Sequence, residues 1–262
     1  MFKGAEYNPV DRFCGLAEVY GRNRPTYPDE ALDFVLCDRK PGGRIADIGS
    51  GTGILSRALA VRGWDIIGID PNAQMRVEAE RTPCPAPARP PVYAAGRAEA
   101  TGLTRGEVEL VIVAQAFHWF DAEAALREFH RILSSGGRVA LLWNQVDESD
   151  ALSKSYWQVL HDLATDPEVV RHPHHLAGRA LLGHPLFRES TVRTFANRQT
   201  LDEPGLLGRA CSASFAPREG PKRDELIDRM RALFAQHQRA GEVTLHYETV
   251  VYTALGVEQS KS

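Results

Sequence analysis

From position 44 onward the chain alternates short, nearly unbroken apolar runs with longer stretches whose apolar residues recur every three or four positions. "RIADI" (44–48) reads as a buried strand, and "GILSRALAVRG" (53–63) as a helix with leucines and alanines at helical spacing and a glycine stop. The pattern repeats with a strand at 64–70, a helix at 71–82 that has proline in its first turn, and a third strand at 91–95. "VELVIVAQ" (108–115) has the continuous hydrophobicity of a strand covered on both faces. Residues 121–133 form an amphipathic pattern with Asp121 placed to cap it, and 137–144 is a fifth strand. Strands alternating with helices predict an α/β protein whose parallel sheet is wound on both faces.

Beyond Trp143 the rhythm changes. Residues 147–183 are helical in spacing and rich in histidine, 191–201 alternate like a strand, 223–238 form a long amphipathic helix, and 245–255 a final strand. Ahead of the sheet, residues 8–38 read as two helical pieces separated by the extended corner "RNRPTYP". The expected organisation is one domain over 1–262: an N-terminal helical cover (1–39), a core (40–145), a helical lid insertion (146–190), and C-terminal strands and helix (191–262). These complete a seven-stranded, mostly parallel sheet with an antiparallel last strand. The proline-rich "PCPAPARPP" lies inside the alternation, so it reads as a surface connection rather than a linker.

Composition narrows the function classes. A chain of 262 residues, 43% hydrophobic and 25% charged, buries a substantial core unaided. Its formal net charge of −3 provides no global field toward nucleic acid or anionic lipid. Cys14, Cys37, Cys84 and Cys211 are widely spaced with no CxxC pair, which fits reduced thiols. With no signal pattern and no apolar run long enough to span a bilayer, the expectation is a soluble cytoplasmic protein with no nucleic-acid or membrane partner. "RHPHHLAG" gathers His172, His174 and His175, but without a carboxylate or cysteine at ligand spacing it reads as a solvated loop, and no metal is expected.

The chemistry concentrates in "ADIGSGTG" (46–53), which places Asp47, Gly49, Ser50, Gly51 and Gly53 between the first strand and the first helix of the sheet. A glycine turn there lies at a helix N-terminus, where free N–H groups gather and a nucleotide-like ligand binds. The dinucleotide fingerprint GxGxxG would require glycine at position 54, where the chain has Ile54. DxGxGxG instead suits a ligand without a pyrophosphate. Asp70, closing the second strand before Pro71, is placed either to accept both ribose hydroxyls or to cap the next helix.

Five segments, "RIADIGSGTGILSRALA", "IIGIDPNAQM", "AGRAEATGL", "VELVIVAQAFHWFD" and "REFHRILSSGGRVALLWN", occur in order at natural spacing. Together they resemble the class I S-adenosylmethionine-dependent methyltransferases, and within them the small-molecule branch of trans-aconitate-methyltransferase-like proteins. The resemblance implies a Rossmann-like fold and S-adenosylmethionine as cofactor. It also implies Met75 against the adenine, Ala98 and Glu99 supplying backbone groups to it, and Gln115 facing the methionine portion. Arg97 stands where the family often has an acid, and Ser135 replaces the proline of a Pro-Gly-Gly turn. His118 and Trp119 would border the transferred methyl, with His118 the candidate general base; either can equally be a packing residue. Tyr20, Arg24, Trp119 and Trp143 are the candidates for contact with the acceptor, Arg24 by clamping a carboxylate of the acceptor or of the cofactor. The implied activity is methyl transfer to a small-molecule acceptor, an organic acid or secondary metabolite, by in-line displacement. The alternatives are an NAD(P)-dependent oxidoreductase and a non-catalytic S-adenosylmethionine-binding regulator.

Overall fold

A computed structural model of the chain describes residues 23–258 apart from 38, 87 and 167–172. The apolar runs become the strands β1 (Arg44–Ile48), β2 (Asp65–Ile69), β3 (Val92–Ala94), β4 (Val108–Ala114) and β5 (Leu133–Val146). β6 (Phe187–Leu201) and β7 (Val243–Gly256) follow later in the chain. They form one seven-stranded sheet in the order β3-β2-β1-β4-β5-β7-β6, and β7 runs antiparallel to both of its neighbours. β4 sits at the centre, and Leu110, Val111, Ile112 and Val113 are all fully buried, as an unbroken apolar run requires. β1 and β4 pair directly although β2 and β3 come between them in sequence. The winding therefore reverses at this pair, and a crevice opens at the carboxyl ends of the two strands.

One face of the sheet is covered by α1 (Asp29–Leu36) and α2 (Ile54–Val61), which bury Leu32, Val35, Leu55 and Leu59 against Ile45, Ile112 and Leu142. The side chain of Asn72 caps α3 (Ala73–Arg81) by accepting from the N–H groups of Gln74 and Met75, so Pro71 precedes the helix instead of opening it. On the other face, α4 (Ala122–Ile132) lays Leu126, Phe129 and Ile132 on Val111, Val139 and Trp143. Asp121 caps α4 by accepting from the Ala124 N–H at 3.1 Å.

A third cluster stands over the crevice. It joins α5 (Ala151–Asp162), α6 (Glu203–Cys211) and α7 (Pro221–His237) to the start of β7 through Tyr156, Leu206, Met230, Leu245 and Tyr247. The cover thus draws on helices from both sides of β6, where the sequence pattern pointed to one insertion before it. α6 has no counterpart in that pattern. Its "EPGLLGRAC" holds one proline and two glycines, and it forms because Asp202 caps it and Leu206 and Ala210 are buried against α7 and β7. Among the described residues no helix is long and apolar enough to cross a membrane.

Candidate active site

The turn after β1 is built from three glycines with positive φ, but they do different work. A Cβ on Gly49 would lie 2.7 Å from the Cβ of Ala116, and one on Gly53 would lie 2.1 Å from the Tyr93 hydroxyl. These two are glycine because protein crowds them. Gly51, with φ of 54°, would meet nothing within 4 Å. It therefore leaves a bare stretch of backbone facing open space, as a closely seated ligand requires.

Two buried carboxylates flank the turn. Asp47 is 1% exposed, and Ser56 donates its hydroxyl to Oδ2 at 2.6 Å. Burial pushes its carboxyl up to about 7, helped by the nearby charge of Asp70 and opposed by the Ser56 bond. Asp70 is also buried, which raises its pKa; the N–H groups of Asn72 and Gly51, donating at 2.8 Å to its two oxygens, pull the other way. Each oxygen of Asp70 spends one acceptor position on the backbone and retains another. Met75 is buried on α3, and Ala98 is buried in the apolar layer on the α4 side of the sheet. The Glu99 carboxylate accepts from the Asp121 N–H and pairs with Arg97 at 3.5 Å, so the arginine that departs from the family pattern is held by its own neighbour.

A cavity of about 590 Å³ starts at this turn and extends beneath the cover. Asp47, Gly49, Ser50, Gly51 and Thr52 line one end, and Gln115 lies on its wall. The hydroxyls of Ser50 and Thr52 are buried there with no hydrogen-bond partner among the described residues. Orphaned buried hydroxyls beside open backbone and a buried carboxylate suit a zwitterionic amino-acid tail, so these residues fit the methionine end of the implied cofactor. Gln115 adopts φ of 59°, an unusual conformation for a non-glycine residue, fixed by its N–H bond to Leu142 O at 2.8 Å.

The far end is lined by Arg24, Tyr27, Trp157, His174, Arg209 and Phe215. Arg24 donates to the Ser212 carbonyl at 2.7 Å. The Arg209 guanidinium lies 5.9 Å from the ring centres of both Tyr156 and Tyr247. The sequence reading missed Arg209 because it missed α6. It also missed Asn144, which lines the cavity and joins the cover to the sheet. Asn144 donates to Thr26 O at 3.1 Å and accepts from Thr249 at 2.6 Å and Asn197 at 3.2 Å.

Three expected acceptor-side residues, Trp143, His118 and Trp119, are absent from the cavity wall. Trp143 is fully buried in the α4 layer and is absent from the cavity wall. Its indole N–H donates to Nδ1 of His118 at 3.3 Å. His118 is also withdrawn from the cavity wall, and burial, with His174 adding to it, holds its pKa well below 6.5. The histidine that reaches the cavity beside it is His174, from the segment expected to be a solvated loop. The two rings stack with centres 4.0 Å apart and planes 22° apart. Trp119 packs on His118 at 4.7 Å. Tyr20 lies outside the described residues.

Residues 46–141 match the family model described as a methyltransferase domain. An uncharacterized methyltransferase of Mycobacterium tuberculosis is 32% identical over 92% of this chain and 94% of its own length. The malonyl-[acyl-carrier protein] O-methyltransferase of Enterobacter lignolyticus is 28% identical over 59% of this chain and 62% of its own. Among solved structures, a protein of Anaeromyxobacter dehalogenans described as a type II methyltransferase superposes with a TM-score of 0.61 at 23% identity, covering 89% of this chain and 97% of that one. Given a sheet of this order, a glycine turn at its switch point and a relative similar along almost its whole length, the chain belongs to the methyltransferase family, in its class I, Rossmann-like form.

Proposed function

We propose that the protein transfers a methyl group from S-adenosylmethionine to a small-molecule acceptor. The observation that carries this reading is one continuous cavity of about 590 Å³ that joins the glycine turn to a wall of aromatic and cationic side chains. Its size is that of a small-ligand site. In this reading Gly49, Ser50, Gly51, Thr52 and Asp47 hold the methionine end, and Gln115 faces its chain. Asp70, with Pro71 beside it, takes the ribose hydroxyls, while Met75, Ala98 and Glu99 bound the adenine. When bound, the cofactor supplies an activated methyl group on a cationic sulfur. The chain's own task is to hold the acceptor atom in line with that methyl in a space free of water, and such positioning contributes up to roughly 7–11 kcal/mol. Arg24, Arg209, Trp157 and Phe215 set which acceptor fits; His118 and Trp119 back the wall.

Calorimetry with S-adenosylmethionine, its demethylated product and NAD tests the cofactor, and binding of NAD alone would overturn it. Transfer of tritium from methyl-labelled cofactor into a metabolite extract tests the acceptor class. Label appearing only in protein or nucleic acid would overturn the small-molecule reading.

A further inference from the structure

We infer that His174 is the general base that takes the acceptor's proton, and that His118 is its positioning residue. The inference rests on the methyl-transfer reading above and deepens it. Three observations carry it. His174 lines the cavity, whereas His118 does not. Its ring is held by stacking on His118, at 4.0 Å and 22°. His118 is itself pinned from behind by Trp143, which is fully buried and donates to Nδ1. Because Nδ1 accepts a hydrogen bond from the indole, the proton of His118 resides on Nε2, and the ring is neutral. Desolvation keeps it so.

A neutral ring is what a base's neighbour should be. Two stacked imidazoles that both charged would repel one another, but here only one can. When His174 becomes an imidazolium it rests on the face of an uncharged ring. The other charged or titratable side chains lining the cavity are Asp47, Glu148, His161, Tyr27, Arg24 and Arg209. The carboxylates favour the imidazolium, and the arginines and the cationic sulfur oppose it. None of the other candidate bases is as well placed. His161 and Glu148 are exposed to solvent, and Asp47 lies at the cofactor end, bonded to Ser56.

The step balances as follows. The acceptor's O–H or N–H gives its proton to His174 as its lone pair forms the bond to the methyl carbon. The carbon–sulfur bond breaks, its electron pair stays on sulfur as a neutral thioether, and the imidazolium later releases the proton to water.

The test is tritium transfer from methyl-labelled S-adenosylmethionine into a metabolite extract, followed across pH 5.5 to 9 for the wild type, His174→Gln and His118→Asn. We expect His174→Gln to lower the rate at neutral pH by about 100- to 10,000-fold, the usual cost of losing a general base. The acidic limb of the profile should vanish and the rate should recover as pH rises, while calorimetric cofactor affinity stays within about twofold of the wild type. His118→Asn, which keeps an acceptor for Trp143, should lower the rate less and leave the acidic limb in place. Ring ¹⁵N spectra of the wild type should show His118 as the Nε2–H tautomer throughout. A His174→Gln variant with the wild-type rate and profile would overturn the inference, as would one that loses cofactor affinity and thermal stability together. A wild-type protein that labels nothing while still binding the cofactor would instead overturn the proposed function, and the base with it.

Discussion

At the glycine end of the cavity the wall is built on one short stretch, Asp47 to Thr52, that follows a paired strand; at the far end Arg24, Trp157, His174, and Arg209 with Phe215 come from four separate segments. The first end is set by local rules. Register with β2 and β4 places Asp47, a turn with positive φ follows, and Gly51 donates its N–H to Asp70. The second exists only once α5, α6, α7 and the start of β7 have packed around Tyr156, Leu206 and Met230. A contiguous end serves a ligand common to many proteins, and a composite end can change without disturbing it.

The largest effect that would sharpen this contrast concerns Trp143, which belongs to the core behind both ends. Trp143→Ala removes a fully buried indole and should lower unfolding free energy by about 3–5 kcal/mol in urea titrations. A variant of wild-type stability with altered acceptor choice would return Trp143 to the acceptor wall.

Next in size is Asp70→Asn. Loss of a charge-assisted pair to the ribose, worth roughly 1.5–3 kcal/mol, should weaken cofactor binding by about 10- to 150-fold in calorimetry. Because Asp70 also accepts from Gly51 and Asn72, Asp70→Ala should in addition lower the melting temperature, whereas the asparagine keeps one of those acceptors. Unchanged affinity in Asp70→Asn would displace the ribose from this carboxylate.

The same contrast explains what the sequence made legible. β1 is Arg44–Ile48 as the pattern indicates, and α2, β2 and β4 fall within two residues of their expected limits, because each depends on its own period. The glycine turn could be read for the same reason. α6 could not, since Pro204, Gly205 and Gly208 hide a helix that tertiary burial stabilises. Trp143 was misplaced by one position. Val139, Leu141 and Trp143 share the α4 face of β5, while Ala140 and Leu142 share the α1 face, so strand alternation assigns Trp143 to the core and Asn144 to the cavity side. That parity was present in the sequence. The stacking of His174 on His118 was not, because it joins residues 56 positions apart on two short 3-10 helices.

The smallest expected effect is a pH dependence of cofactor affinity, located at the glycine end. Asp47 has its carboxyl raised from 3.8 to about 7, principally by burial, so the folded protein without ligand binds a proton there more tightly than the unfolded chain does. The sign follows from linkage: the stabilisation is complete below pH 4 and is lost as pH rises to 7, at up to about 1.4 kcal/mol per unit, levelling off above. A ligand that presents an ammonium or sulfonium to this carboxylate favours its ionised form. Binding below pH 7 must then expel a proton, and cofactor affinity should fall about tenfold between pH 8 and pH 6. Calorimetry in two buffers of different ionisation enthalpy counts that proton. Asp47→Asn should flatten the dependence while the far end of the cavity is untouched. An equally steep curve in that variant would move the titrating group to the acceptor end, where His174 would be the first residue to replace.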